Sequence, residues 1–169
     1  MMRVAMSALL AMAVATCAHI AADPWLDALP WPASASDIVR LPSGVEYRKI
    51  DTGPRDGGSP TDSDIVLVHF EGRLEDPDFQ IGETPEERLE SSLIVSTYQE
   101  GEPKQFLVSD LTAGWSEVIK LMRPGDRWIA RIRMPFPGDE EGAKDFSPSP
   151  VVIYEIELLA VRRPDSPQP

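Results

Sequence analysis

The chain has 169 residues, of which 42% are hydrophobic, and this is enough for one domain with a real core plus terminal extensions. Its 28 acidic and 16 basic residues give a formal net charge of −12, which argues against nucleic acid and anionic membrane surfaces as partners. The 17 prolines and 11 glycines favour a turn-rich β or α+β fold over a helical bundle.

The N-terminus has the pattern of an export signal. Arg3 makes the start of the chain positive, and residues 4–16 form an uncharged run rich in Ala, Leu and Met. The run is too short to span a bilayer as a helix, and it lacks the polar face of a core helix. Residues 1–17 are therefore predicted to be a signal segment, which implies export to the periplasm or the outer membrane.

The end of this segment leaves two routes open. Residues 14–17 resemble the lipobox of bacterial lipoproteins, which implies lipidation of Cys17 and attachment to a membrane, although Thr16 departs from the preferred Gly, Ala or Ser. The alternative is cleavage within residues 18–22, which gives a soluble periplasmic protein. Either route leaves no cysteine nucleophile, and His69 is the one histidine of the predicted domain, so neither a metal nor another cofactor is expected.

Residues 18–42 are predicted to be a linker or N-terminal arm, because prolines and an Ala-Ser run discourage a long regular element. Trp25 and Trp31 are unusual in a free tether and indicate that part of the arm packs on the domain. The domain is assigned to residues 43–162, with a charged insertion at 75–89. Residues 163–169 are predicted to be a disordered tail.

Apolar residues recur with a period of two in most of the domain, which predicts strands at residues 45–50, 65–70, 128–134 and 152–160. The run at 65–70 is rich in β-branched residues and predicts a strand buried on both faces. In the last segment the even-numbered residues from Val152 to Ala160 share one predicted core face.

One segment shows convincing helical periodicity. Trp115, Val118, Ile119 and Met122 form a single apolar stripe, and Pro124 ends it. A second short helix is predicted to begin at Thr84 in the insertion, where a proline and an acid follow the cap. One short helix among about five strands predicts an α+β fold in which an antiparallel sheet wraps around the helix.

Several segments, taken in order, resemble the FKBP-type peptidyl-prolyl isomerases, including the exported bacterial ones. The resemblance extends over about residues 41–161 and rests on order and spacing. The similar segments are residues 41–47, 64–74, 101–108, 114–126 and 152–159. Segment 64–74 lies where the family has His-Tyr-x-Gly. The resemblance implies the FKBP-like fold, isomerisation of the bond that precedes proline, and proline-containing polypeptide segments as partners.

The resemblance also implies a binding cleft, because Trp115 corresponds to the tryptophan at the floor of the family's pocket. It implies catalytic roles for Phe70, which stands where the family usually has tyrosine, for Trp115 and for Tyr154. The substrate-binding positions that it implies are Ile94, Val95, Phe106, Leu111, Thr112 and Phe146.

Two departures from the family bear on activity. The family's Phe-Asp-Ser-Ser motif can be aligned in two registers. Without a gap it falls on residues 94–97, and Val95 replaces the acid; with an insertion it falls on residues 89–92, and Glu90 keeps the acid. We prefer the first register. The tyrosine of the family's flap, expected within residues 135–146, is absent. Two functions therefore stay open: an isomerase that assists the folding of exported proteins, and an FKBP-fold chaperone or binding module with weak or no turnover.

Overall fold

A computed structural model of the chain describes residues 25, 28–29, 31–75, 81–134 and 150–164. Within these residues seven strands form one antiparallel sheet in the order β1-β2-β6-β7-β3-β4, and β5 pairs with β3 beside β4. The strands are β1 Val39–Arg40, β2 Glu46–Asp51, β3 Ile65–Leu74, β4 Leu93–Ser96, β5 Lys104–Leu107, β6 Arg127–Arg133 and β7 Val151–Arg162.

Three short helices accompany the sheet in the described residues: α1 Pro85–Ser91, α2 Thr97–Glu100 and α3 Ala113–Ile119. The predicted helix of the insertion is confirmed as α1, whose N-cap Thr84 forms a reciprocal capping box with Glu87. No helix in this part of the chain is long and apolar enough to cross a bilayer.

The main core lies between α3 and one face of the sheet, as the sequence predicts. Val118, Ile119 and Met122 of the predicted stripe are fully buried, and they belong to one cluster with Val66, Val68, Ile156 and Leu158 of the central strands. The predicted stripe is thus the face that the helix buries against the sheet.

A second apolar cluster lies on the opposite face of the sheet. Ile129 and Ile153 are fully buried there, beneath Trp25, Trp31 and Ile38 of the N-terminal arm. Trp31 also donates a hydrogen bond from Nε1 to Glu46 Oε2 at 2.6 Å. The tryptophans therefore pack on the domain, as their presence in the arm predicted.

Two details differ from the sequence analysis. The structure has seven strands rather than about five, because the short strands β1 and β4 carry no periodic pattern of their own. Ala160 does not share the core face of β7, since the pairing with β3 skips Leu159 and the following residues change sides. Val161 contacts the core in its place, and Ala160 is exposed.

The strand β3 also differs from its prediction. Val66 and Val68 are fully buried, but Ile65 and Leu67 between them are only half-buried. A continuous run of β-branched and aliphatic residues therefore belongs here to a strand with one core face.

Candidate functional site

The helix α3 places Trp115 against the sheet, because Gly114 allows the helix to approach β6 closely. A Cβ at residue 114 would lie 2.6 Å from Ile132 Cγ2, which is less than a van der Waals contact. Trp115 occupies the first turn of α3 and is 7% exposed. Its ring is held at the boundary between the core and the surface.

Three other aromatic rings surround this indole. The centroid of the Phe70 ring lies 5.1 Å from that of Trp115, and that of Tyr154 lies 5.0 Å away, both in edge-to-face orientation. Phe106 continues the wall, with its centroid 6.1 Å from that of Phe70. Edge-to-face contacts of this kind favour a fixed arrangement of the rings.

The backbone of Phe70 is fixed by a side chain from the neighbouring element. Thr97 is completely buried, and its Oγ1 accepts a hydrogen bond from Phe70 N at 2.8 Å and donates one to Phe70 O at 3.1 Å. His69 Nδ1 lies 3.0 Å from the same hydroxyl. Thr97 and His69 are thus structural partners of a residue in the aromatic wall.

Gly72 provides the space in which two of the wall residues meet. A Cβ at this position would lie 2.7 Å from Tyr154 Cε1 and 3.0 Å from Val95 Cγ1. Any larger residue would therefore displace the tyrosine or the valine, and the glycine is required by close packing.

Together these elements form an open cavity of about 250 Å³ over the indole. It is lined by Phe70, Val95, Phe106, Asp110, Leu111, Thr112, Trp115, Met134 and Tyr154. The lining is mostly apolar and aromatic, and its volume suits one small ring rather than a large ligand.

Few polar groups face this cavity. Burial raises the pKa of Tyr154, so its hydroxyl stays protonated at neutral pH and donates a hydrogen bond to Met134 Sδ at 3.1 Å. Asp110 is the one ionisable carboxylate among the described lining residues, and it is exposed at the end of the 3-10 turn Val108–Asp110. Such a site offers binding and desolvation rather than acid-base or nucleophilic chemistry.

The structure brings most of the sequence-predicted residues together around this cavity: Phe70, Val95, Phe106, Leu111, Thr112, Trp115 and Tyr154. Val95 lines it, whereas Glu90 is exposed on α1 and does not, in agreement with the preferred register. Phe146 and Cys17 lie outside the described residues.

Ile94 is the exception among the predicted residues that the structure describes. It does not line the cavity and is 46% exposed, beside a separate surface depression. The physical reason is that adjacent side chains of a strand point to opposite faces, so Ile94 points away from the cavity that Val95 lines. A β-bulge, in which Gly72 pairs with Val95 and Arg73 with Leu93, also leaves Ile94 without a partner in β3.

Two lining residues, Asp110 and Met134, were not predicted. Met134 carried a usable signal, because it is the last residue of the alternating pattern that directs Trp128, Ala130 and Ile132 to the core. Asp110 carried no such signal, because a single acid before Leu111 cannot be distinguished in the sequence from any other charged loop residue.

Comparison with known proteins points to one family. The sequence profile of the FKBP-type peptidyl-prolyl cis-trans isomerases matches residues 57–159. The chain is 30% identical to outer membrane protein MIP of Legionella longbeachae, over 77% of this chain and 49% of that protein. It is 29% identical to the FKBP-type 22 kDa peptidyl-prolyl cis-trans isomerase of Escherichia coli, over 76% of this chain and 55% of that protein.

Solved structures agree on the fold. FkpA from Escherichia coli superposes with a TM-score of 0.59 at 22% identity, covering 78% of this chain and 54% of that one. A peptidyl-prolyl cis-trans isomerase from Pseudomonas syringae gives a TM-score of 0.54 at 24% identity, covering 77% and 84%. The FKBP-like α+β fold predicted from the sequence is therefore confirmed. The chain spans about half the length of the curated relatives that it matches.

Proposed function

Because the chain belongs to the family of FKBP-type peptidyl-prolyl cis-trans isomerases, we propose that it isomerises X-Pro bonds in exported polypeptides. The observation that carries this proposal is the open apolar cavity over Trp115, whose size suits a pyrrolidine ring. In this proposal Trp115 is the floor of the site, and Phe70, Phe106 and Tyr154 are its walls.

The chemistry requires only a suitable environment. Rotation about an X-Pro bond crosses a barrier of about 18–20 kcal/mol that amide resonance sets. In the twisted state the carbonyl is less polar, so a dry aromatic cavity favours that state over the planar amide. Phe70, Trp115 and Tyr154 contribute as the groups that touch the proline, while Val95, Phe106, Leu111 and Thr112 hold the flanking chain.

A second function is favoured by one specific observation, which is that Val95 lines the cavity. In the preferred register this residue corresponds to the family's acid. With the flap tyrosine also absent from the sequence, the site offers fewer polar groups to a substrate carbonyl than its relatives do. The alternative is therefore an FKBP-fold chaperone or binding module that holds proline segments with little turnover.

A protease-coupled assay on a proline peptide tests the isomerase. We expect the purified domain to accelerate isomerisation and Trp115→Leu to lower kcat/KM at least about tenfold, which corresponds to roughly 1.4 kcal/mol of lost transition-state binding. Trp31→Leu is the matched control, because Trp31 is 8% exposed, like Trp115 at 7%, but lies on the opposite face of the sheet.

The outcome of this assay separates the two functions. The binding module would be supported if the unmodified domain binds the peptide but isomerises it no faster than buffer does, and if Trp115→Leu abolishes the binding. Equal losses of kcat/KM in the Trp115 and Trp31 variants would contradict the placement of the site. They would show that either substitution acts by destabilising the domain as a whole and not through the cavity.

Export is part of the proposal and is supported by residues 1–17 and by the similarity to outer membrane protein MIP of Legionella longbeachae. We propose attachment through lipidated Cys17, with cleavage within residues 18–22 as the alternative. Mass spectrometry of the mature N-terminus distinguishes them: a diacylglyceryl mass on a chain that begins at Cys17 supports lipidation, and an unmodified start after Cys17 contradicts it.

A further inference from the structure

A second depression, of about 220 Å³, lies between the loop at residues 52–59 and the segment 121–126. Lys49, Arg55 and Arg123 line it together with the hydroxyl residues Thr52 and Ser59. None of these residues lines the described part of the cavity over Trp115. The two sites are therefore formed by different side chains.

The charge at this depression is opposite to that of the whole chain. Acidic residues outnumber basic ones by 28 to 16, yet Lys49, Arg55 and Arg123 form no ion pair with any acid in the described residues. Other cations do find carboxylates: Arg40, Arg73, Lys104, Lys120, Arg127 and Arg131 each form such a pair. Three cations that line one depression and form no ion pair there are suited to an anionic ligand.

Asp126, the acid at the bottom of the depression, is already used by the backbone. It is 3% exposed, and its Oδ1 accepts from Gly53 N at 2.8 Å while its Oδ2 accepts from Arg123 N at 2.9 Å. Asp126 thus joins the two segments that carry the cations. Gly53 packs directly on Pro124 and Gly125, so a Cβ there would lie 2.2 Å from Pro124 O, and the frame is closely fitted.

The cationic groups are oriented rather than loosely placed. Arg123 Nη1 donates to Arg55 O at 2.8 Å, which holds the guanidinium against the loop and leaves its other N–H groups for a ligand. Lys49 Nζ lies 4.7 Å from the centre of the Trp128 ring. Arg163 Nη2 approaches the same loop, 2.8 Å from where a Cβ of Gly58 would be.

From this arrangement we propose that the depression binds a phosphate group. Guanidinium and ammonium groups with neighbouring hydroxyls are the donors that proteins use for phosphate, because they supply charge and several hydrogen bonds to its oxygens. The net charge of the chain repels a dianion at long range, so the affinity is modest.

Calorimetric titration of the purified domain with inorganic phosphate at low ionic strength tests the proposal. We expect saturable binding in the millimolar range, and a rise in Kd of about tenfold or more in Arg123→Gln and in Lys49→Gln, since each removes a charged hydrogen-bond donor. Arg123→Gln keeps the backbone N–H that Asp126 accepts, so the loop frame is retained. Arg88→Gln is the matched control, because Arg88 contacts only backbone carbonyls of the insertion.

Further titrants identify the source of the phosphate. Binding of glycerol 3-phosphate without retention on phosphatidylglycerol vesicles assigns the site to a soluble ester, whereas retention that Arg123→Gln abolishes assigns it to a lipid headgroup. The proposal is overturned if phosphate gives no saturable signal, if succinate binds more tightly than phosphate, or if Arg88→Gln weakens binding as much as Arg123→Gln does.

Discussion

Adjacent residues of β4 differ in whether their side chains reach the candidate site, because a strand directs them to opposite faces. Val95 lines the cavity and fills part of the space beside Gly72. Ile94 has no partner residue in β3 and is exposed on the surface. The resemblance implied that Ile94 binds the substrate. Ile94 could do so only if the substrate polypeptide extends beyond the cavity.

A pair of alanine variants tests this difference. Val95→Ala removes two methyl-sized groups from the cavity wall, and at about 0.8 kcal/mol for each fully buried group we expect kcat/KM for a proline peptide to fall by up to about fifteenfold. Ile94→Ala should stay within about a factor of two. The protease-coupled assay measures both, and a larger loss in Ile94→Ala than in Val95→Ala would place the substrate on the other side of β4.

At the residue scale, the sequence could predict those site residues that lie in fixed motifs. Trp115 follows from its place at the start of the helix, and Phe70 from its place in segment 64–74, where the family has His-Tyr-x-Gly. Asp110 could not be predicted, because its position depends on how the 3-10 turn joins β5 to α3. Ile94 was misplaced relative to the cavity, because the resemblance implied the same role for two adjacent residues that a strand directs to opposite faces.

The elements themselves were predictable where polar residues interrupt the apolar ones. The alternation in β6 and the stripe of α3 each have polar neighbours that define a face, and both predictions are confirmed. The end of β7 has no such neighbour: Leu158, Leu159, Ala160 and Val161 are all apolar, so the sequence cannot show that the pairing skips Leu159. In the sequence the alternation of two residues therefore continues past the position of the bulge without interruption.

The N-terminal arm is an element of the folded unit although its sequence looks like a linker. Trp25 is 4% exposed, and the guanidinium of Arg73 lies 5.0 Å from its ring centre. The arm covers Ile129 and Ile153, which would otherwise present a hydrophobic patch on the outer face of the sheet.

Truncation of this contact should therefore lower the stability of the domain. We expect Trp25→Ala to reduce the free energy of unfolding by about 3–5 kcal/mol, because a buried tryptophan leaves a cavity and exposes its neighbours. Urea denaturation measures the change, with Ile81→Ala as control, since Ile81 is 74% exposed and should cost less than about 0.5 kcal/mol. A loss below about 1 kcal/mol would mean that the arm is dispensable for folding.

In the whole molecule the two faces of the sheet carry different kinds of interaction. The α3 face is apolar and opens into the cavity, whereas the opposite face carries charged residues beside the arm. Glu71 accepts from Ser96 Oγ at 2.8 Å and pairs with Arg73, and Glu155 pairs with Arg127. This charged band crosses the adjacent strands β6, β7 and β3, so its protonation state affects the whole fold.

Glu155 should make the stability of the molecule depend on pH. It is 3% exposed, and burial raises its pKa above the ordinary 4.5, despite Arg127 Nη2 at 2.6 Å, with the nearby Glu71 carboxylate adding to the rise. Burial dominates because the Glu155 side chain is almost fully desolvated, while Arg127 is 33% exposed and keeps part of its hydration. The folded state therefore holds this proton more tightly than the unfolded state does.

The sign of the effect follows from proton linkage. As the pH rises above 4.5, the unfolded chain loses the Glu155 proton before the folded one, so this group lowers the free energy of unfolding until its raised folded pKa is passed. Glu155→Gln does not titrate. We therefore expect the stability of this variant, minus that of the wild type, to increase with pH over that window in urea denaturation series. A difference that stays constant or shrinks between pH 4 and pH 8 would show that attraction to Arg127 outweighs the desolvation of the carboxylate.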